Sequence, residues 1–329
     1  RCAVELGGPT PLLEIGADRT LDDLNGPGPH PSWSTQPHPS CNHNPRLVST
    51  STGDEVELLI SYPAASDPME SGYGDVAAGQ WPVILFAHAN SYADCRLVDA
   101  YSSLQDRWAS WGFIVVSVDA SHLCEKNSQS NLEGRRDDLM AAWGSLESMA
   151  RDPDNPLHGR VDSESLILAG HSRGATAALL ASTWLPEADG LIWLQGVDTA
   201  GYHLGHPRVD VPALGVVAGK DRDIRFPKAE PTRDQLSNAH AWVTLLGGIH
   251  AFTSDQISPK EKDTPTLERT EQVELSAYLS TLLLASTLGV SNGAEVVPDP
   301  EAAQRLFGPD VLNLHPSIQA TWGHGTSHE

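Results

Sequence analysis

The stretch from Leu166 to Leu180 constrains this chain more than any other. A short apolar run, Leu166-Ile167-Leu168-Ala169, leads into Gly170-His171-Ser172-Arg173-Gly174 and then into Ala175-Thr176-Ala177-Ala178-Leu179-Leu180. A Gly-x-Ser-x-Gly turn of this kind joins a strand to a helix so tightly that glycine is needed on both sides, and it holds the serine on a strained bend. The pentapeptide alone arises by chance. The apolar run before it and the small-residue helix after it are the context the motif requires, so Ser172 is the expected nucleophile, at the carboxyl end of a strand.

The rest of the chain alternates strand and helix around this point. Glu55 to Pro63 reads as a strand ended by proline. Trp81 to His88 and Phe113 to Asp119 are continuous apolar runs, the pattern of strands buried on both faces of a parallel sheet. Between them, apolar residues at 97, 101, 104, 108 and 111 have helical spacing, closed by Gly112. Leu139, Trp143, Leu146 and Ala150 mark another helix. Three further strands follow, ending at Leu194, Gly219 and Leu246, and Thr264-Pro265 is expected to open the last helix, with proline in its first turn. The fold class is α/β, a mostly parallel sheet flanked by helices, with active groups at the carboxyl ends of strands.

Residues 51–289 form the expected catalytic domain, 1–50 a Pro-rich N-terminal arm, and 290–329 a Gly-, Pro- and acid-rich surface tail. Trp33 is expected to pin the arm to the body. His30, His38 and His43 sit among six prolines between Asn25 and Pro45, where histidines are ordinarily solvated, so no metal is expected. Acids outnumber bases 43 to 21, giving a net charge of -22, which argues against nucleic acid as a partner. No apolar run reaches the roughly 18 residues of a membrane span. The four cysteines, Cys2, Cys41, Cys95 and Cys124, have no metal or redox spacing. The absence of a leader-like start at Arg1-Cys2-Ala3-Val4 fits a trimmed, mature chain, and secretion is the expectation.

A serine hydroxyl needs a base within hydrogen-bond reach, and the base needs an orienting carboxylate. Gly247-Gly248-Ile249-His250 delivers a histidine after the last core strand, while Asp198 and Asp221 each follow a strand end. His250 is the expected base. Asp221 is favoured as its acid over Asp198, and Asp223 stands third, its alternative role a surface charge beside Arg222 and Arg225.

With Gly170-His171-Ser172-Arg173-Gly174, His88-Ala89-Asn90 and Gly248-Ile249-His250 in place, the chain resembles the α/β-hydrolase superfamily from about residue 55 to 288. Gly-His-Ser-Arg-Gly and Trp111-Gly112-Phe113-Ile114-Val115-Val116 are similar to the chlorophyllase, platelet-activating-factor acetylhydrolase and dienelactone-hydrolase-like group. The spacing from Pro212 to Asp221 and on to His250 resembles bacterial cutinases and polyester hydrolases. The two subgroups differ over the acid: the cutinase-like pattern places it at Asp221, and the chlorophyllase-like pattern at Asp198.

The resemblance implies an α/β-hydrolase fold without a large lid and hydrolysis of a carboxylic ester, extended or polymeric esters included, through a serine acyl-enzyme without a cofactor. It implies an oxyanion hole from the backbone N–H groups of Asn90 and Arg173, with His88 orienting the loop. His-Ala stands where the superfamily usually has His-Gly, a substitution that narrows the backbone options of the turn. Trp193 and Tyr202 are candidates for an acyl pocket, with simple core packing as the alternative. Strands ending at 88 and 119 are neighbours in this fold, so Cys95 is expected to bridge to Cys124, leaving Cys2 for Cys41. The alternatives are an amidase or acyltransferase using the same triad, or a catalytically silent binding protein. Neither substrate nor oligomeric state is read from the sequence.

Overall fold

The computed structural model describes residues 27–28, 32–34, 46–65, 75–90, 96–124, 126, 128–199, 203–205, 207–222, 229, 232–236, 240–256, 261–288 and 318–323. Ten strands form one sheet: β1 (Ser32–Ser34), β2 (Arg46–Val48), β3 (Glu55–Pro63), β4 (Trp81–Ala87), β5 (Ile114–Val118), β6 (Val161–His171), β7 (Ala188–Leu194), β8 (Ala213–Ala218), β9 (His240–Leu245) and β10 (Ile318–Gly323). Among the described residues four α-helices accompany them, α1 (Ser102–Ser110), α2 (Ser128–Arg151), α3 (Arg173–Ser182) and α4 (Arg269–Thr287).

The order across the sheet is β1-β3-β5-β4-β6-β7-β8-β9-β10, with β2 on β3. Strands β5, β4, β6, β7, β8 and β9 are mutually parallel, and the antiparallel pairings lie at the two ends. This is the α/β-hydrolase fold. The central strands are apolar throughout because both faces are covered. Leu85, Leu168 and Trp193 pack with Leu139, Trp143 and Leu146 of α2 on one side. Ile84, Phe86 and Ile167 pack with Leu104 and Trp108 of α1 and Leu275 and Leu279 of α4 on the other. Trp108 Nε1 donates to Ser280 Oγ at 2.8 Å and joins the two helices of that face.

Two helix starts differ from the sequence expectation. The periodicity from Leu97 contains turns up to Tyr101, and α1 begins at Ser102, where Asp255 Oδ2 accepts from the Ser102 hydroxyl and the Ser103 N–H. A carboxylate from distant sequence supplies this cap. Thr264-Pro265 does not open α4, which starts at Arg269. The backbone N–H groups of Thr266 and Leu267 instead donate to the carbonyl of Gly247, so this segment is bound to the loop after β9.

The segments expected as arm and tail fall largely outside the described residues. Their described parts include strands: Trp33 aligns with Tyr62 in the β1–β3 ladder, and β10 pairs with β9 from Ile318 opposite Leu245 to Gly323 opposite His240. Among the described residues no helix is long and apolar enough to cross a membrane. Cys124 is disulfide-bonded, while Cys2, Cys41 and Cys95 lie outside the described residues, as do the histidines of the Pro-rich segment.

Candidate active site

Ser172 sits between β6 and α3 with φ 57° and ψ -126°, a strained conformation for a residue with a side chain. Packing imposes it. A Cβ on Gly170 would stand 2.4 Å from the Gly174 carbonyl carbon, and one on Gly174 would stand 2.0 Å from the Ala87 carbonyl oxygen. Both contacts are with backbone, so neither can relax cheaply. Ser172 N–H donates to Leu194 O at 2.9 Å, tying the turn to β7. Arg173 opens α3, and its N–H is one of the first-turn donors that an α-helix leaves without an intrahelical acceptor.

The loop after β4 lies against this turn, since the Gly174 Cα faces the carbonyls of Ala87 and His88. His88 is buried, and its Nε2 accepts from Ala120 N–H at 2.9 Å. That bond places the ring proton on Nδ1, which donates to Ala89 O at 2.6 Å. The acceptor belongs to the same peptide unit as the Asn90 N–H, so His88 orients the group expected to serve as an oxyanion donor. Burial holds the His88 pKa below the ordinary imidazole value. Ala89 N–H donates to the Tyr101 hydroxyl at 3.1 Å, and Asn90 Oδ1 accepts from Arg135 at 3.2 Å.

On the neighbouring edge, β8 and β9 run parallel with Ala218 aligned to Leu245. Gly219 N–H donates to Leu245 O at 2.8 Å, and Lys220 N–H to Gly248 O at 2.9 Å, so the loops after the two strands are bound together. Asp221 and His250 meet as a result: His250 Nδ1 donates to Asp221 Oδ2 at 2.9 Å, leaving Nε2 free to accept a proton. Asp198 follows β7, and the carboxylate on His250 is that of Asp221. The His250 ring packs against that of His171, the residue before Ser172, with centroids 4.5 Å apart.

Several residues of the site carry no sequence signature. Gln272 of α4 is fully buried; its Oε1 accepts from Ile249 N–H at 3.0 Å and its Nε2 donates to Ile249 O at 2.8 Å, which fixes the backbone next to His250. The Tyr101 hydroxyl, already accepting from Ala89, gives its proton to His171 Nδ1 at 2.8 Å. Burial first, and then the neighbouring His250, hold the His171 pKa well below the usual range. Gln195, at the end of β7, is buried with φ 49° beside His171. Gln272 lies in line with Ser276 and Ser280, which are also buried, so no apolar face set it apart in the sequence.

Trp193 is 0% exposed and stacks on Trp242 with centroids 5.2 Å apart, which is the core packing that stood as the alternative to an acyl pocket. Its alternation on β7 points it away from the open edge of the sheet and into the layer with Leu85 and Leu168. Tyr202 and Asp223 lie outside the described residues. Among the described residues, no group of three or more His, Cys, Asp or Glu side chains is arranged to hold a metal ion.

A chlorophyllase family model matches residues 73–188, which contain β4, the following loop and the Ser172 turn but end before Asp221 and His250. The chain is similar to Cutinase 2 of Thermobifida cellulosilytica, 25% identical over 199 residues that cover 57% of this chain and 71% of that protein. Cutinase cut1 of Thermobifida fusca is 25% identical over 199 residues, covering 57% of this chain and 58% of the relative. Cutinase est1 of Thermobifida alba is 24% identical over 173 residues, covering 49% and 54%. The chain thus spans little more than half the length of the latter two. It resembles the chlorophyllase and cutinase group of α/β-hydrolases.

Proposed function

We propose that the protein is a serine carboxylic-ester hydrolase with Ser172 as nucleophile, His250 as general base and Asp221 as the acid that orients it. The observation that carries this reading is the 2.9 Å bond from His250 Nδ1 to Asp221 Oδ2, beside a strained Ser172 on the same edge of the sheet. Ser172 Oγ attacks the ester carbonyl carbon while His250 Nε2 takes its proton. The tetrahedral oxyanion is held by the Asn90 and Arg173 N–H groups; the C–O bond to the leaving alcohol then breaks, and His250 returns the proton to it. Water, deprotonated by His250, attacks the acyl-serine, releasing the acid and restoring Ser172. No cofactor takes part.

Extended or polymeric esters are the proposed substrates. Similarity to proteins named cutinases supports this, as does the connection from Leu194 to Ala213, which carries no helix among its described residues. Secretion and a Cys95–Cys124 bridge belong to the same proposal, supported by the disulfide at Cys124.

The test is hydrolysis of nitrophenyl esters of graded acyl length, matched nitroanilides and polyester film by wild type and Ser172→Ala, with fluorophosphonate labelling. Esters should be cleaved well above amides, and Ser172→Ala should lose roughly 10⁴-fold or more. Unlabelled Ser172 in folded protein would instead fit a silent binding protein, and preferred anilide cleavage an amidase.

A further inference from the structure

Arg135, on α2, is 2% exposed. Its Nε donates to Asn131 Oδ1 at 2.9 Å, one Nη to the His88 carbonyl at 2.6 Å, and the other Nη to Asn90 Oδ1 at 3.2 Å. Among the described residues it makes no carboxylate ion pair within 4.0 Å, and Asp119 and Asp138 offset its charge only from farther off. A buried charge is ordinarily paired, because removal from water disfavours it strongly. Burial, and then the nearby Arg173, lower its pKa to about 10, which leaves it charged at neutral pH.

We propose that Arg135 is a positioning residue of the oxyanion loop, fixing His88 and Asn90 and placing a positive charge behind the point where negative charge develops on the substrate oxygen. The inference rests on the serine-hydrolase reading and deepens it. The guanidinium is a rigid planar fork, so three bonds in one plane set the separation of the His88 carbonyl and the Asn90 side chain. Asn131 orients the fork in turn, its Nδ2 donating to Leu123 O at 2.7 Å. With His88 held by Ala120 and Ala89 held by Tyr101, each residue from His88 to Asn90 is anchored, and Arg135 alone among these anchors carries charge. A neutral ester feels that charge weakly and a tetrahedral oxyanion strongly. Arg135 therefore acts on the transition state more than on substrate binding.

The experiment compares steady-state ester hydrolysis by wild type, Arg135→Met, Arg135→Lys and Asn131→Asp, each checked for folding by circular dichroism and thermal melting. Arg135→Met should lower kcat about 10- to 100-fold with KM within about threefold, below the ~10²–10³ loss of a donor that touches the oxyanion itself. Arg135→Lys should recover part of that loss. Asn131→Asp sets a carboxylate on the Arg135 charge and gives up the bond to the Leu123 carbonyl, and should lower kcat at least about fivefold with KM unchanged. A folded Arg135→Met with kcat within twofold of wild type overturns the inference. If that variant does not fold, an unchanged kcat in Asn131→Asp does so, and so does a loss confined to KM. When wild-type turnover vanishes in Ser172→Ala, the hydrolase reading stands whatever the Arg135 variants do. Wild-type turnover that survives Ser172→Ala overturns that reading and this inference with it.

Discussion

The two halves of the candidate site are built differently. The nucleophile half, at the ends of β4 and β6, is fixed by backbone against backbone: Gly170 against Gly174, and Gly174 against Ala87 and His88. The acid–base half, at the ends of β8 and β9, is fixed by side chains reaching from elsewhere, with Gln272 of α4 holding Ile249 and Asp221 holding His250. Main-chain packing tolerates almost no change, whereas a side-chain clamp can be altered and still leave a fold. The Ser172 turn can be lost only with the structure; the clamp on His250 can be detuned.

The largest effect should come from the acid. Asp221→Asn is expected to lower kcat about 10⁴-fold, because an amide in that place favours the wrong His250 tautomer, whereas Asp198→Asn should stay within a few-fold in the same ester assay. The reverse outcome would move the acid to β7. Next, glycine substitutions contrast the halves directly. In Gly174→Ala the new methyl meets a carbonyl oxygen at 2.0 Å, and a loss on the order of 4 kcal/mol or outright failure to fold is expected. In Gly248→Ala the clash is with Gln272 Oε1 at 2.5 Å, the end of a side chain that can turn away, so chemical denaturation should give a smaller loss.

Gln272→Leu removes the clamp itself and leaves the Ile249 N–H buried without its acceptor, while the carbonyl keeps the Phe252 N–H at 3.3 Å, and this costs about 1–3 kcal/mol. Its kcat should fall while fluorophosphonate still labels Ser172. Equal kcat in a folded Gln272→Leu protein would show that the acid–base half needs no support from α4.

The smallest effect is an acid dependence of stability. Burial lowers the pKa of both His88 and His171 relative to the unfolded chain. Below about pH 6.5 the unfolded state binds protons that the folded state refuses, so the stabilisation present above that pH is lost progressively as pH falls toward the lowered folded values. Thermal melting between pH 7.5 and 5 should show this decline, and His171→Phe should flatten it; identical slopes would remove His171 from the account.

Much of the nucleophile half was legible because its constraints are local. Glycines two residues either side of a serine, between an apolar run and an alanine-rich segment, state their own geometry. The same locality made the buried strands β4 and β5 readable from Val83 to Phe86 and from Ile114 to Val118. The start of α1 was not readable, because Asp255 caps it from distant sequence. Likewise the start of α4 was displaced by the bonds of Thr266 and Leu267 to Gly247. The aromatic at Trp193 was chemically suited to a pocket or a core, and only its stacking on Trp242 placed it in the core.

By itself the sequence determined the alternating α/β order and the turn at Ser172, since both follow from side-chain size and hydrophobicity among near neighbours. It also offered His250 and three acids for it. Only the tertiary structure brought one of them to the histidine, because the parallel pairing of β8 with β9 carries Asp221 to within 2.9 Å of His250. It alone brought Arg135, Tyr101 and Gln272 to the site, because each acts through a hydrogen bond across many residues of chain, and such a bond leaves no periodicity to read.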